Sequence, residues 1–215
     1  MAMPRSRSRC SDCEPTRKPH SPLADEAAAV LDFWFAPPSS PEHGTARKVW
    51  FVKDTAFDDK VRARFAALVE QALRGELDGW SGDARSALAR IVVLDQFARN
   101  IFRDTPRAFA GARPALAAAS DMVGSRQDEG LSPFMRAFVY MPFEHAEGIA
   151  MQDEAVRLFT RLAAASSELD SMLAFAHKHR AVIERFGRFP HRNAILGRQS
   201  TADEIAFLAE PGSRF

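Results

Sequence analysis

The sequence has few cysteines, little net charge and no long apolar run. Cys10 and Cys13 are the only cysteines among 215 residues, and the absence of thiols from the rest of the chain is typical of a reducing compartment. The formal net charge of +1 gives no reason to expect binding to nucleic acid or to a membrane surface. No segment approaches the roughly 18 apolar residues of a membrane span. We therefore expect a soluble, cytoplasmic protein with neither kind of partner.

The N-terminal segment, residues 1–21, lacks hydrophobic periodicity and is rich in Arg, Ser and Pro. It has no apolar stretch of the kind that a signal peptide needs. Its Cys10-x-x-Cys13 pair is half of a zinc site at most, because structural zinc takes four ligands and only His20 is nearby. We predict a disordered tail with an incidental cysteine pair, followed by a single all-helical domain over residues 22–215.

Strand periodicity is also missing, and capping signals precede helical patterns instead. The starts are Ser21-Pro22, Thr55-x-x-Asp58, Ser132-Pro133 and Thr201-x-x-Glu204. Pro142 is expected to interrupt one helix and to separate it from the next, which runs from about residue 143 to 164. The pattern predicts an all-α fold of seven to nine helices that pack as antiparallel hairpins, with no sheet. No internal repeat near 34 residues is evident.

Residues 177–198 form a basic segment with only one acid, Glu184. The segment begins on a predicted helix whose apolar face includes His179, and Gly187 is expected to end that helix in the left-handed conformation. The hydrogen-bond donors of this segment are suited to bind carboxylate or phosphate groups, which Arg binds with two parallel hydrogen bonds. The alternative is that they satisfy helix-end carbonyls and acids elsewhere in the chain. These donors are Arg180, Arg188, His191, Arg192 and Asn193.

A second polar cluster lies on the helix predicted over residues 83–102. Asp95 and Arg99 are one helical turn apart, as are Gln96 and Asn100, and Arg99 and Arg103. Asp95 continues an apolar row and is expected to point inward, where a charge needs a partner. Either the Asp95–Arg99 pair fixes helix packing, or the acid orients arginines toward a ligand.

The third cluster is Glu144, His145 and Glu147. Carboxylates around a histidine could hold a metal ion, act as an acid–base pair, line a polar wall or only cap a helix. No recognised metal-ligand spacing is present. We therefore predict no metal and no cofactor.

Several strings resemble the bacterial "domain of unknown function 924" family. They are LDQFARNIFR at 94–103, YMPFEHAE at 140–147, RFGRFPHRN at 185–193, LGRQST at 196–201 and DFWF at 32–35. The resemblance covers about residues 25–210. It implies an all-helical fold similar to tetratricopeptide-repeat proteins, and it implies no activity.

The leading hypothesis is a binding module whose polar clusters converge on one cleft for an anionic small molecule or peptide group. The alternative is an enzyme that uses Glu144, His145, Glu147, His179 or His191 for acid–base or metal-assisted hydrolysis. An RNA-binding role conflicts with the neutral charge. Asp95, Arg99, Glu144, His145, His179 and Arg188 are expected to meet in space. The candidate ligand-binding residues are Asp95, Gln96, Arg99, Asn100, Arg103, Glu144, His145, Glu147, His179, Arg180, Arg188, His191, Arg192 and Asn193.

Overall fold

The computed structural model describes residues 22–213, and every regular element in that range is helical. The all-α prediction is therefore confirmed for the described part of the chain, which contains eight helices when α3 and α4 are counted as one continuous helix. The helices are α1 (Pro22–Phe35), α2 (Thr55–Leu73), α3 (Ala84–Ile91), α4 (Ala98–Ile101), α5 (Ala112–Gly124), α6 (Pro133–Glu144), α7 (Ile149–Ala163), α8 (Asp170–Phe186) and α9 (Ala202–Leu208).

Aromatic side chains from several helices fill the main core. Trp34 on α1 contacts Phe57 on α2 and Phe138 on α6 through ring pairs with centroids less than 6 Å apart. Phe97 packs against Phe65 with a centroid separation of 4.7 Å. Offset and edge-on aromatic pairs of this kind stabilise a core beyond their area burial. Leu88 on α3 belongs to the same apolar cluster, which therefore joins α1, α2, α3 and α6.

A π-helical segment, Val92–Phe97, connects α3 to α4 without a break. All six of its residues are buried, including Asp95 and Gln96. The start of α5 lies directly against this segment, and an added Cβ at Gly111 would overlap the Leu94 carbonyl. Widened turns of this type are frequent at functional sites.

Two helix boundaries differ from the sequence prediction. Helix α2 is capped by Asp54, whose carboxylate accepts from the amides of Ala56 and Phe57, instead of by the box that starts at Thr55. Helix α6 continues through Pro142 to Glu144, and α7 begins only at Ile149. Proline removes one donor to the helix and leaves the following residues free to complete the last turn.

The expected start of α9 and the expected end of α8 are both confirmed. Thr201 and Glu204 form a reciprocal capping box, and Gly187 ends α8 with φ at 70°. The segment after Gly187 packs on a second, smaller apolar cluster that includes Val182, Ile183 and Phe189. This segment returns the chain to the end of α6, where the polar clusters lie.

Two sequence predictions stay predictions. Residues 1–21, with Cys10 and Cys13, lie outside the described residues, and nothing in the structure tests the similarity to tetratricopeptide repeats. Among the described helices, none is long and apolar enough to cross a bilayer.

Candidate functional site

A cleft of about 300 Å³ lies where α4, the end of α6, α8 and the segment after Gly187 meet the short 3₁₀ helix Lys48–Trp50. Most of the polar residues singled out from the sequence line it. The polar lining consists of Lys53, Gln96, Arg99, Asn100, Arg103, Glu144, His145, His179, His191 and Arg192.

Asp95 lies beside the cleft and holds three of these residues together. It is 2% exposed, and its carboxylate is 2.8 Å from His145 Nδ1, 2.6 Å from Gln96 Nε2 and 3.3 Å from Arg99. Burial opposes ionisation, but the contacts with His145, Arg99 and Gln96 outweigh it and lower the pKa of Asp95. The acid is therefore a carboxylate at neutral pH, as a buried acceptor of several hydrogen bonds should be.

Glu144 and His179 form a second carboxylate–imidazole pair. Glu144 Oε1 lies 2.8 Å from His179 Nδ1, which is also 2.9 Å from the carbonyl oxygen of Phe175. The hydrogen bond of this nitrogen is to the carbonyl oxygen of Phe175, and the Glu144 carboxylate lies within ion-pair distance of the same atom. The rings of His145 and His179 have centroids 6.4 Å apart. Two buried carboxylate–imidazole pairs therefore face the same cleft.

Arg192 is the most unusual cation of the cleft. It is only 6% exposed, Nη1 donates to the carbonyl of His145 at 3.0 Å, and Nε is buried without a hydrogen-bond partner. Its guanidinium lies over the rings of Phe189 and Phe109, 4.3 Å and 5.0 Å from their centroids. Burial and the charge of Arg99 lower the pKa of Arg192 to about 9, so it is still protonated at neutral pH.

Two histidines of the cleft are held in the neutral form. Burial and then the charge of Arg192 lower the pKa of His191 to about 3. Burial and then the charge of Arg99 lower the pKa of His145, and they outweigh the opposite effect of Asp95. Because Asp95 is ionised, we assign the hydrogen of neutral His145 to Nδ1, which leaves Nε2 as the basic nitrogen.

Five predicted site residues, Asp95 among them, lie outside the cleft lining. Of the residues expected to meet in space, Arg188 does not join the network around Asp95. Arg188 forms a two-fold ion pair with Glu204, and Asn193 also donates to Glu204. Arg180 pairs with Asp153 and Glu184. Each of these donors has an acceptor nearer than the cleft. In the structure, the contacts of Arg180, Arg188 and Asn193 are those of the second alternative, in which the donors satisfy acids elsewhere in the chain.

Glu147 also serves the packing of the C-terminal segment. It accepts from Arg198 at 2.7 Å and from the amide of Phe189 at 2.9 Å. These contacts hold Phe189 in place beneath the guanidinium of Arg192. Glu147 therefore positions one wall of the cleft without lining it.

Three features of the site escaped the sequence analysis. Asp58, buried on α2, accepts from Asn100 at 2.6 Å and from Arg103 at 2.6 Å. Phe109 supplies a ring to both Arg99 and Arg192. Residues 49–52 form an apolar part of the lining. The short apolar run at residues 49–52, outside any long helix, was the available signal in the sequence.

The fold and the site thus define an all-helical protein with an arginine- and histidine-lined cleft. The chain belongs to the family described as bacterial protein of unknown function (DUF924), whose model matches residues 30–212. It is also similar to the solved structure of a protein of unknown function, ATU0120 from Agrobacterium tumefaciens. The two share 40% identity with a TM-score of 0.75, over 87% of this chain and 98% of that one. No curated protein matches the sequence.

Proposed function

We propose that this protein is a binding module that takes the oxyanionic group of a small molecule or peptide in the cleft. The observation that supports this most directly is the environment of Arg192. It is a buried cation whose Nε has no hydrogen-bond partner. A cytoplasmic location, without nucleic-acid or membrane partners, belongs to the same proposal.

The energetic argument concerns the charge that Arg192 brings into the core. A buried charge without a counter-ion is costly, and natural proteins pair such groups. Among the described residues no carboxylate lies within ion-pair distance of Arg192, whereas Arg99 pairs with Asp95 and Arg103 with Asp58. A bound oxyanion would supply the missing negative charge, and a planar guanidinium is suited to bind such a group.

The test is a titration with acetate, phosphate and sulfate at neutral pH. Trp50 lines the cleft, so its fluorescence is a direct reporter, while Trp34 and Trp80 are buried in the core. We expect a saturable change with at least one of these anions. The proposal fails if the wild-type protein binds none of them more tightly than about 10 mM.

The variant Arg192→Met keeps an unbranched side chain over Phe109 and Phe189 and removes the charge. We expect it to weaken anion binding by a factor of about 10 or more, because a charge-assisted hydrogen bond contributes roughly 1.5–3 kcal/mol. Arg85→Gln is the control, since Arg85 is exposed on α3 and does not line the cleft. Equal affinity in Arg192→Met and wild type would place the bound anion elsewhere.

A second candidate is an acid–base enzyme, and the two carboxylate–imidazole pairs favour it. Neutral His145 beside ionised Asp95 has the composition of a general base, and Glu144–His179 could act as a partner acid. The metal-assisted form of this hypothesis finds no support in residues 22–213, where no group of three His, Cys, Asp or Glu side chains could hold an ion.

The variant His145→Gln distinguishes the enzyme hypothesis from the binding hypothesis. An enzyme with this base would lose turnover of a chromogenic carboxylic ester in the variant by a factor of about 100 or more and still bind acetate. A binding module would show equal, background hydrolysis in both proteins. Circular dichroism of the variant confirms that the helices are retained.

A further inference from the structure

We infer that the ligand of this cleft is a monocarboxylate with an apolar body of up to about ten heavy atoms. Its head would meet Arg192 and Arg99, and its body would lie against the apolar lining. This inference rests on the proposed function and narrows it to one class of ligand. The evidence is an apolar lining beside the polar one, the charge balance of the cleft and its volume.

The apolar lining comes from three separate elements, one of which is α6 with Met141. Val49, Trp50, Phe51 and Val52 contribute from the 3₁₀ helix and the turn after it, and Met172 and Phe175 contribute from α8. Phe51 is 58% exposed, Val52 49% and Phe175 46%. A cluster of exposed large apolar side chains beside a buried cation is typical of a binding surface. The ligand should therefore carry an apolar part next to its charge.

The pairing of the charged side chains in the cleft indicates whether the ligand carries one negative charge or two. Four Lys or Arg side chains line the cleft. Lys53 pairs with Asp104, Arg99 with Asp95, and Arg103 with Asp58. Arg192 alone among them has no carboxylate within ion-pair distance in the described structure. Glu144 also lines the cleft, but it lies beside His179. Arg192 is therefore the lining cation that lacks a carboxylate of its own, and a ligand with one carboxylate group would supply it.

A phosphate monoester would bring a second negative charge into the same cleft. That charge would meet Glu144, which also lines it, and Asp95, which is buried beside it. His145 and His191, whose pKa values are lowered, would have to take up protons to compensate. Burying an uncompensated charge is unfavourable. The cleft should therefore discriminate against the dianion.

The cleft volume limits the size of the ligand. About 300 Å³ corresponds to roughly ten water molecules, at about 30 Å³ each. A carboxylate with about eight carbons therefore fits. A longer chain would extend past Phe51 and Phe175 into solvent and gain little further affinity.

The experiment compares acetate, butyrate, hexanoate, octanoate and decanoate by the Trp50 fluorescence titration. Affinity should rise by about 2- to 4-fold per methylene group as the chain lengthens, and level off near eight carbons. Octyl phosphate and octanol probe the head group and should both bind at least about 10-fold more weakly than octanoate.

Phe175→Ala tests the position of the apolar body. It should flatten the dependence of affinity on chain length, so that the ratio of octanoate affinity to acetate affinity falls relative to wild type. Ile205→Ala is the matched control: Ile205 is also an exposed large apolar residue, at 60%, but lies on α9 and does not line the cleft. It should behave as wild type.

The outcomes distinguish this inference from the proposed function. If acetate binds but longer chains bind no better, or if Phe175→Ala changes nothing, the inference is wrong and anion binding stands. If octyl phosphate binds more tightly than octanoate, the charge argument is wrong and the inference of a monocarboxylate is overturned. If no anion binds at all, both the inference and the proposed function are rejected.

Discussion

His145 Nδ1 lies 2.8 Å from Asp95 Oδ2, although the two residues are 50 positions apart in the chain. The contact joins the π-helical segment to the end of α6. Arg99 and Gln96 converge on the same carboxylate. Asp95 therefore connects the main core to the cleft, and its removal tests whether that connection stabilises the fold.

We expect Asp95→Ala to lower the free energy of unfolding by about 3–5 kcal/mol. The substitution leaves Arg99 and His145 partly buried without their acceptor, and breaking one half of a buried pair has a cost of this size. Urea unfolding measures the effect. Asp121→Ala, at an exposed position on α5, is the control and should change stability by less than about 0.5 kcal/mol.

A loss of less than about 1 kcal/mol in Asp95→Ala would contradict this view. It would agree instead with the other interpretation of the sequence, in which the acid is kept for ligand binding and adds little stability. Asp95→Asn refines the result, because it keeps the shape of the side chain and removes only its charge.

Gly111→Ala should destabilise the protein by about 1–3 kcal/mol. A methyl group there would overlap the carbonyl of Leu94, so α5 would have to move away from the π-helical segment. Gly124→Ala is the matched control in the same helix, since a Cβ at that position meets no atom within 4 Å. Thermal and urea unfolding of both variants give the comparison. Equal stability would show that α5 can shift without cost.

Local capping chemistry explains how much of the fold could be predicted from sequence. Thr201 and Glu204 satisfy each other within one turn, so the start of α9 was visible in the sequence. Thr55 and Asp58 have the same spacing, but Asp58 points inward to Asn100 and Arg103 and leaves the cap to Asp54. A pattern of four residues cannot show which acid has a distant partner.

The candidate site was predictable only where its contacts are local. The Asp95–Arg99 pair follows from helical spacing alone, and the structure has it. The contacts of Asp95 with His145 and of Glu144 with His179 depend on how separate helices pack. From the sequence alone, Arg188 was as good a candidate for the cleft as the other arginines, but in the structure it forms an ion pair with Glu204. Long-range packing therefore decided which donors reached the site.

Low pH should destabilise the C-terminal segment around Glu204. The hydrogen bonds from Arg188 lower the pKa of Glu204 from 4.5 to about 2, and the amide of Thr201 and the side chain of Asn193 add to this effect. Because the pKa is lower in the folded state, the stabilisation is complete above about pH 4.5 and is lost as the pH falls toward 2.

Hydrogen exchange of the α9 amides, corrected for intrinsic rates, measures this effect. Protection should fall between about pH 5 and pH 2.5, and Glu204→Gln should reproduce the loss at neutral pH. Glu210→Gln, at an exposed position beyond the helix, is the control. Unchanged protection of α9 in Glu204→Gln would show that the apolar contacts of Phe207 and Phe186 hold the segment alone.

The last prediction concerns His191, a histidine of the cleft whose pKa is strongly lowered. Burial and the charge of Arg192, with smaller contributions from His179 and Arg99, lower the pKa of His191 from 6.5 to about 3, and Glu147 acts in the opposite direction. As the pH falls, His191 therefore becomes protonated in the unfolded chain at a higher pH than in the folded protein. Stability should be constant above about pH 6.5 and fall as the pH decreases toward 3, by at most about 1.4 kcal/mol per pH unit for this group.

Urea unfolding between about pH 7.5 and pH 4.5 covers the window in which histidines titrate before the carboxylates. His191→Gln should reduce the slope, whereas His177→Gln, at an exposed position on α8, should leave it unchanged. Proton NMR of the imidazoles identifies the group, since His191 should show no titration above about pH 5. A His191 signal that titrates near pH 6.5 would mean that the imidazole is open to water, and the cleft would then be more polar than its lining indicates.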